Sequence, residues 1–306
     1  MPIARHVKNN RGTSLWGLFC LLLVAGLVLI AAASLRKERS EQVRMQAVES
    51  GTESQVPGER NGQPTRENPQ EEVEPDRRPS LVLIIDDIGF SLSAARELAE
   101  MRVPLTWSII PYQSHSLSSL KLAKERGIPV MLHLPMEAEV DRPGLKYQIN
   151  LEMDEASIRS FVKRAVMSLP GVIGVNNHRG SRATSTPRVM EAVLGEIRVQ
   201  GLIFVDSRTS GKSVAFRMAS QMNIPTLKNE VFLDHEADAN AMRRALERAF
   251  SIARKQGSVV VIGHARPETL RFLKTLSGSK PEDVKWMTVP EAIRRSPGSS
   301  QGGMTQ

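Results

Sequence analysis

The order of hydrophobic and polar positions changes sharply near Ser80 and then repeats along the rest of the chain. Short apolar segments, typical of strands buried on both faces, alternate with amphipathic segments typical of helices. The strand-like segments are 81–86, 104–110, 129–134, 171–177, 202–206, 226–234, 258–264 and 286–293. Gly127 and Gly257 follow two of the predicted helices, and Pro187 and Pro267 begin two others.

Seven or eight strands, each followed by a helix, predict parallel pairing through right-handed crossovers. Such a chain folds either as an open doubly wound sheet or as a closed or partly closed (β/α) barrel. The first strand is not followed by a GxGxxG glycine pattern, which disfavours a dinucleotide-binding sheet. A segment of about 220 residues fits a barrel better, and we predict one over residues 80–296.

The chain before Ser80 follows a different pattern. Residues 15–33 carry no charge, and as a helix they would span roughly 28 Å, about one hydrocarbon core of a membrane. We predict a cytoplasmic tail over 1–13 and a transmembrane signal anchor over 14–34, with a signal peptide cleaved near 31–34 as the alternative. Basic residues on both sides of the run leave its orientation open, but a short tail before a long domain favours export of the domain.

Composition narrows the choice of partners. Residues 35–79 and 297–306 lack hydrophobic periodicity, so we predict a disordered linker and a disordered tail. The net charge of +8 suits an anionic lipid or polymer, with a solvated surface of mixed sign as the alternative. Aromatic residues make up only 4% and no phosphate-binding glycine loop occurs, which argues against nucleic acid and against a nucleotide cofactor. The one cysteine, Cys20, lies in the apolar run, so the exported part has no disulfide.

Acidic and imidazole side chains are concentrated at the ends of the predicted strands. In a (β/α) barrel the carboxyl ends of the strands form the active site. Asp86 and Asp87 end the first strand, His133 lies in the third, His178 follows the fourth, and His264 ends a late strand. Carboxylates and imidazoles together are what Zn²⁺ prefers, with three protein ligands and a water in a catalytic site.

These residues also have structural interpretations. Asp86 or Asp206 could cap a helix. For Asp86 this is less favoured, because a cap needs only one carboxylate, whereas Asp86 is followed by a second aspartate that repels it. His133 could be a hydrogen-bonded histidine of the core. His178 lies among Asn and Gly, which favours a ligand, whereas His235 lies between two acidic residues and is expected to be exposed.

Six segments resemble one known family. They are LVLIIDDIGF, PLTWSIIPY, PVMLHLPMEAE, GVNNHRGSRAT, FVDSRTS and VIGHARPETL, in this order. Together they resemble the divergent polysaccharide deacetylases, remote relatives of the NodB-type carbohydrate esterases, over residues 79–292. The resemblance implies a distorted (β/α)7-8 barrel of the glycoside hydrolase/deacetylase type, a divalent metal at its rim with Zn²⁺ as the expected ion, and a cell-envelope polysaccharide as substrate.

The resemblance also implies roles for single residues. In the NodB-type enzymes the first aspartate of a pair is the general base and the second binds the metal, which places these roles on Asp86 and Asp87. A metal-binding histidine falls on His133, and a histidine that acts as general acid falls on His264.

The chain departs from that family pattern at two places. Glu137 stands where a second histidine is expected, and residues 176–180 replace an Arg-Pro-Pro-Tyr segment. We therefore expect His178 to supply the third metal ligand, with Glu137 in reserve. We also expect an arginine to pair with Asp86 or Asp206 and hold it ionised. The candidates are Arg179, Arg182 and Arg208.

Two functions fit these features. The first is a metal-dependent hydrolase of the amide bond in an N-acyl carbohydrate of the envelope, held in the bacterial inner membrane by a single pass over 14–34, with its domain in the periplasm. The alternative is a non-catalytic, membrane-tethered module that binds glycan or protein and has a structural or vestigial metal site. A catalytic site keeps an open coordination position, whereas a structural site is closed by a fourth ligand such as Glu137.

Overall fold

The computed structural model describes residues 76–141, 147–276 and 281–295. These ranges belong to one unit that spans Glu74–Gln306. The predicted tail, the transmembrane segment at 14–34, most of the linker and the residues from 297 onward lie outside the described residues. Within the described ranges, no helix is both long and apolar enough to cross a bilayer.

The described residues alternate between strands and helices, as the hydrophobic pattern predicts. The strands are β1 Ser80–Ile88, β2 Thr106–Ile109, β3 Val130–Met136, β4 Gly174–Arg179, β5 Ile203–Asp206, β6 Thr226–Lys228, β7 Val231–Phe232, β8 Ser258–His264 and β9 Lys285–Met287. The helices are α1 Leu92–Ala99, α2 Ser116–Glu125, α3 Glu155–Ser168, α4 Pro187–Val199, α5 Ala215–Gln221, α6 Ala239–Gln256, α7 Pro267–Thr275 and α8 Val289–Arg295, with a 3₁₀ turn at Ala183–Ser185.

The strands form one parallel sheet in the order β6-β5-β4-β3-β2-β1-β8-β7. The first half of β1 also pairs with β9. The sheet curls into a half-barrel with helices packed on it, which confirms the predicted α/β class and the parallel pairing. In this register Asp86 pairs with His264 on β8, and His133 on β3 pairs with Asn176 on β4.

The segment 226–234, predicted as one strand, is broken in the structure. Its first part, β6, pairs with β5 at one edge of the sheet, and its second part, β7, pairs with β8 at the other edge. Between them, Asn229 donates its backbone N–H to Asp206 at 2.9 Å and Glu230 donates to Val260 at 3.0 Å. Between β6 and β7 the chain therefore passes directly from one edge of the sheet to the other. Among the described residues these two edge strands do not pair with each other, as they would in a closed barrel.

Alternate residues of the central strand enter two different cores. Leu81, Leu83 and Ile85 pack with the helices in the larger core, whereas Val82 and Ile84 pack in a smaller cluster with residues of other strands and α8. Because successive side chains of a strand point to opposite faces, this second cluster fills the concave side of the sheet. Both faces of β1 are buried, which explains its unbroken apolar sequence.

The last residues of the predicted linker are held by the domain. Pro79 accepts a hydrogen bond from the backbone N–H of Lys285 at 2.8 Å. The Arg295 guanidinium donates to the carbonyl oxygens of Asp76 at 2.7 Å and Arg78 at 2.6 Å. The described part of the domain therefore begins a few residues before the predicted boundary at Ser80.

Candidate active site

The row of side chains that fills the concave core becomes polar at the carboxyl ends of the strands. On three strands an acidic or imidazole residue comes two positions after an apolar residue of this core, and therefore on the same face. These are Asp86 after Ile84, His133 after Met131 and His264 after Ile262. The hydrophobic pattern of the strands thus places these three side chains at one end of the half-barrel.

Asp87 joins them through an irregularity of the backbone. In a regular strand Asp87 would point away from Asp86. Here the register between β1 and β2 shifts between Ile85 and Ile88, and Asp87 has the left-handed φ of 62°, an uncommon conformation for a residue other than glycine. Both carboxylates consequently approach Nε2 of His133, at 3.5 Å for Asp86 and 3.4 Å for Asp87.

Asp87, His133 and His178 form a cluster whose ligand-type atoms all lie within 4.8 Å of one another. Nδ1 of His178 is 3.1 Å from Oδ1 of Asp87 and 3.1 Å from Nε2 of His133. Two ligands bound at about 2.0–2.1 Å to a tetrahedral Zn²⁺ stand about 3.3 Å apart. The structure thus brings together the three residues that the sequence suggested as ligands, at separations that suit one ion.

The protonation of this cluster also suits a cation. Among the described residues, no donor makes a regular hydrogen bond to the buried Oδ1 of Asp87, which faces only the two imidazoles at 3.1 and 3.4 Å. Burial alone would raise the pKa of Asp87, but the two imidazoles outweigh it and the pKa lies below its ordinary value. Burial lowers the pKa of His178, which favours the neutral ring that a metal needs. Burial also acts to lower the pKa of His133, but Asp86 and Asp87 outweigh it and raise this pKa, so positive charge is favoured at this point.

Asn176 connects the cluster to Asp86. Its Nδ2 donates to Oδ1 of Asp86 at 2.9 Å, and its Oδ1 faces Nδ1 of His133 at 2.9 Å and accepts a hydrogen bond from Ser108. The amide oxygen can only accept, so Nδ1 of His133 carries a proton, and Nε2 is the nitrogen that would bind a metal. Asn176 is therefore a positioning residue, and the sequence indicated it only as one of several polar residues at the end of the fourth strand.

Asp86 is almost fully buried, with 2% of its surface exposed. Burial raises its pKa above the ordinary value, and the nearby His133 and His264 oppose the shift without cancelling it. The amide of Asn176 holds one carboxylate oxygen, and the other lies beside His133. A buried carboxyl of this kind is a stronger base, when ionised, than an exposed one.

His264 is held by Asp234, a partner that the sequence did not reveal. Nδ1 of His264 is 2.8 Å from Oδ1 of Asp234, whose Oδ2 accepts from the hydroxyl of Thr269 at 2.6 Å. Burial would lower the pKa of His264, but its hydrogen bond to Asp234 outweighs burial and raises it. The ring also stacks on Phe232, with centroids 6.2 Å apart. The signal in the sequence was the position of Asp234 at the end of a strand-like segment.

Glu137 does not join the ligand cluster, which corrects its place as the reserve ligand. Its Oε1 pairs with Arg182 at 2.7 Å and its Oε2 accepts from the backbone N–H of Leu151 at 2.8 Å. Arg179 forms an ion pair with Asp141. Both arginines therefore hold acidic residues of the loop after β3 in place, and not the aspartates for which they were expected.

Asp206 faces away from the site because its neighbour Val205 belongs to the concave core. Its carboxylate accepts hydrogen bonds from the hydroxyl of Ser213 at 2.8 Å and from the backbone N–H of Phe216 at 3.3 Å, at the start of α5. Arg208 is exposed and contributes only its backbone N–H, at 2.8 Å. Asp206 thus supports the first turn of α5, although the N-cap position itself is Val214, which makes no side-chain cap hydrogen bond. The expected pairing with an arginine is wrong for this residue.

A cavity of about 500 Å³ opens over the cluster. Its lining includes Asp86, Asp87, His133, His178, His264 and Asp234. The candidate ligands, the buried carboxyl and the paired imidazole therefore face the same space. Such an arrangement can hold a divalent cation, accept a proton on one side and donate a proton on the other.

Comparisons with known proteins agree with this architecture. A family model described as divergent polysaccharide deacetylase matches residues 83–293. An uncharacterized protein of Haemophilus influenzae is 32% identical over 209 residues, which cover 67% of this chain and 73% of that protein. The uncharacterized protein YibQ of Escherichia coli K12 is 31% identical over 204 residues, or 67% of this chain and 64% of YibQ, slightly less than two thirds of its length.

A solved structure shows the same fold. The crystal structure of an uncharacterized protein from Agrobacterium tumefaciens C58 matches with a TM-score of 0.66 and 20% sequence identity. The match covers 71% of this chain and 89% of that one. This structure shows the fold, and the family model confirms the resemblance seen in the sequence motifs.

Proposed function

The chain belongs to the divergent polysaccharide deacetylase family, and we propose that it is a metal-dependent hydrolase that removes the acyl group from an amino sugar of an envelope glycan. Family membership supports a carbohydrate substrate. The observation that carries the proposal is that one cavity contains both a three-residue ligand cluster and two separately tuned proton carriers, Asp86 and His264.

Asp87, His133 and His178 are the residues that would hold the metal, and their carboxylate and imidazole ligands suit Zn²⁺. When bound, the ion lowers the pKa of a water and polarises the acyl carbonyl. The cluster has three members among the described residues, and Glu137 is engaged by Arg182. Three protein ligands leave a coordination position open, as a catalytic site requires and a structural site does not.

The chain's own residues account for the proton transfers of amide hydrolysis. Asp86 accepts a proton from the attacking water, while Asn176 holds its other oxygen and fixes its orientation. The bond between the carbonyl carbon and nitrogen then breaks, and protonated His264 donates to the departing nitrogen. Asp234 keeps His264 protonated and oriented. The products are a carboxylic acid and the free amine of the sugar.

The location of the protein is part of the proposal. The uncharged run within 14–34 supports an anchor in the inner membrane, with the domain in the periplasm where envelope glycans are found.

The direct test is an assay of the full chain with defined glycans. We expect about one equivalent of divalent metal for each chain, and release of acetate with a matching amount of free amine from chitotetraose or peptidoglycan fragments. Chelation should stop release and added Zn²⁺ should restore it. A chain that binds one metal and these glycans but releases no acid from either would instead be the non-catalytic binding module.

A second expectation concerns the pH dependence. The pKa of His264 is raised in the folded protein because of its hydrogen bond to Asp234, so the imidazolium persists to higher pH and activity is lost as pH rises through this pKa. In Asp234→Asn the anionic partner is gone and the pKa of His264 falls. The alkaline limb of the plot of kcat against pH should therefore move to lower pH. Asp238 is an exposed helix cap, and the control variant Asp238→Asn should leave the limb in place. If kcat falls in Asp234→Asn but the alkaline limb stays at the same pH, the role of Asp234 is structural only.

A further inference from the structure

A second cavity lies beside the first. It has a volume of about 310 Å³ and lies between β7 and the amino-terminal half of α6. Phe232 and His235 line both cavities, so the two spaces adjoin at these side chains. A glycan with its N-acyl sugar in the first cavity can therefore extend into the second.

Two arginines on α6 line this second cavity. Arg244 and Arg248 are four residues apart on the helix, so their side chains project from the same face, and both are exposed. Neither forms an ion pair with an acidic side chain in the described ranges of the chain. Like charges at this spacing weaken a helix, so helix stability does not account for this pair.

A third unpaired guanidinium lies on the catalytic side. Arg266 is exposed and lines the first cavity, and no ion pair engages it within the described residues. Its position just after β8 places it beside His264. Together with the α6 pair, it puts positive charge on both sides of the boundary formed by Phe232.

The carboxylates of the second cavity offset this charge only in part. Glu230 accepts a hydrogen bond from the backbone N–H of Val260 at 2.7 Å, so one oxygen of its carboxylate is already engaged. Glu236 is exposed and is the other carboxylate among the described residues that line this cavity. With Arg266 at the adjoining boundary, three guanidinium groups stand against these two carboxylates, which leaves the cavity suited to an anion.

We propose that the second cavity receives an anionic substituent, a carboxylate or a phosphate, carried by the glycan next to its N-acyl sugar. Arg244 and Arg248 bind the anion through charge-assisted hydrogen bonds, for which the planar guanidinium is well suited. Phe232 offers an apolar surface to the sugar ring between the two cavities. This inference rests on the proposed deacylation and narrows its substrate class to acidic glycans.

Binding measurements on the full chain test this inference. The carboxylate is tested by comparing a peptidoglycan tetrasaccharide, which carries lactyl carboxylates, with chitotetraose as its neutral counterpart. The phosphate is tested by comparing N-acetylglucosamine 6-phosphate with N-acetylglucosamine. Titrations are made in EDTA, so that no glycan is consumed. We expect at least one acidic probe to bind about tenfold more tightly than its neutral counterpart, an advantage that weakens at high salt.

A pair of double variants decides whether the cavity is responsible. Arg244→Gln/Arg248→Gln should remove the advantage of the acidic probe and leave binding of the neutral probe unchanged. Arg243→Gln/Lys255→Gln removes the same charge from α6 outside the cavity and should keep the advantage. Equal binding of acidic and neutral probes to the wild type, or equal losses in both double variants, would overturn the inference.

The outcome of this test is separate from that of the proposed function. If the metal-loaded chain releases no acid but the acidic probe keeps its cavity-dependent advantage, the hydrolase proposal fails and the anion site stands. If acid is released equally from neutral and acidic glycans and the α6 variants behave as the control, the hydrolase proposal stands and the anion site fails.

Discussion

Asp87→Ala should lose bound metal and turnover together, with turnover falling by about 10³-fold or more. Asp87 supplies the only carboxylate of the ligand cluster, and its Oδ1 faces two imidazole nitrogens at 3.1 and 3.4 Å. Without it, two neutral rings remain, and three protein ligands are the usual minimum for a catalytic Zn²⁺. His178→Ala should behave in the same way, because it also leaves only two members of the three-residue cluster.

Metal content and folding must be measured alongside activity. Elemental analysis of each variant gives the stoichiometry, and circular dichroism together with thermal unfolding in EDTA shows whether the apo fold is intact. His115→Ala is the matched control, because this half-buried histidine lies beyond β2 and its ring makes no capping hydrogen bond. A full complement of metal in Asp87→Ala and His178→Ala would contradict the assigned ligands, whatever the activity.

Much of this site could be predicted because strand periodicity carries the information. Asp86, His133 and His264 each continue a row of residues that faces the concave core. In parallel strands such rows end at the same rim, so residues far apart in the sequence converge there. The same rule gives the correct position of His178, two residues after the buried Asn176 on β4.

The errors in the arginine partners come from the same geometry. Asp206 ends a strand, as Asp86 does, but it occupies the alternate position, on the face opposite to Val205. A shift of one residue along a strand moves a side chain to the opposite face of the sheet. For this reason Asp86 faces the cavity, whereas Asp206 faces the start of α5. Arg179 ends β4 with a left-handed φ of 58°, and Arg182 lies in the loop that follows, so strand periodicity does not fix the direction of either side chain. Their partners Asp141 and Glu137 belong to the loop after β3.

Asp234 and the broken segment 226–234 depend on contacts between distant parts of the chain. The sequence shows a single extended segment, but its halves pair with opposite edges of the sheet. Only this division brings Asp234 beside β8, where its carboxylate accepts from the backbone N–H of His264 at 2.8 Å. The pairing of edges in space is not encoded in the local hydrophobic pattern, so the partner of His264 could not be identified from it.

The second large effect is expected from Asp86→Asn, which should keep its metal and lose turnover by about 10²- to 10⁴-fold, the usual contribution of a general base. The amide has the shape of the carboxylate and can still accept from Nδ2 of Asn176 through its oxygen, so the packing around it is preserved. It cannot accept a proton from water near neutral pH. The loss should therefore appear in kcat, measured by acetate release at saturating glycan, with metal content unchanged.

Asp206→Asn is the matched control for Asp86→Asn. Asp206 is as deeply buried as Asp86 and also ends a strand, but its carboxylate serves the start of α5 on the opposite face. Its variant should unfold at a lower temperature, because a weaker acceptor remains for those donors, while metal content and kcat of the folded protein are retained. Asp86→Asn should show the reverse, an intact fold without turnover. Loss of metal in Asp86→Asn would instead make Asp86 a ligand, since its Oδ2 lies 3.5 Å from Nε2 of His133.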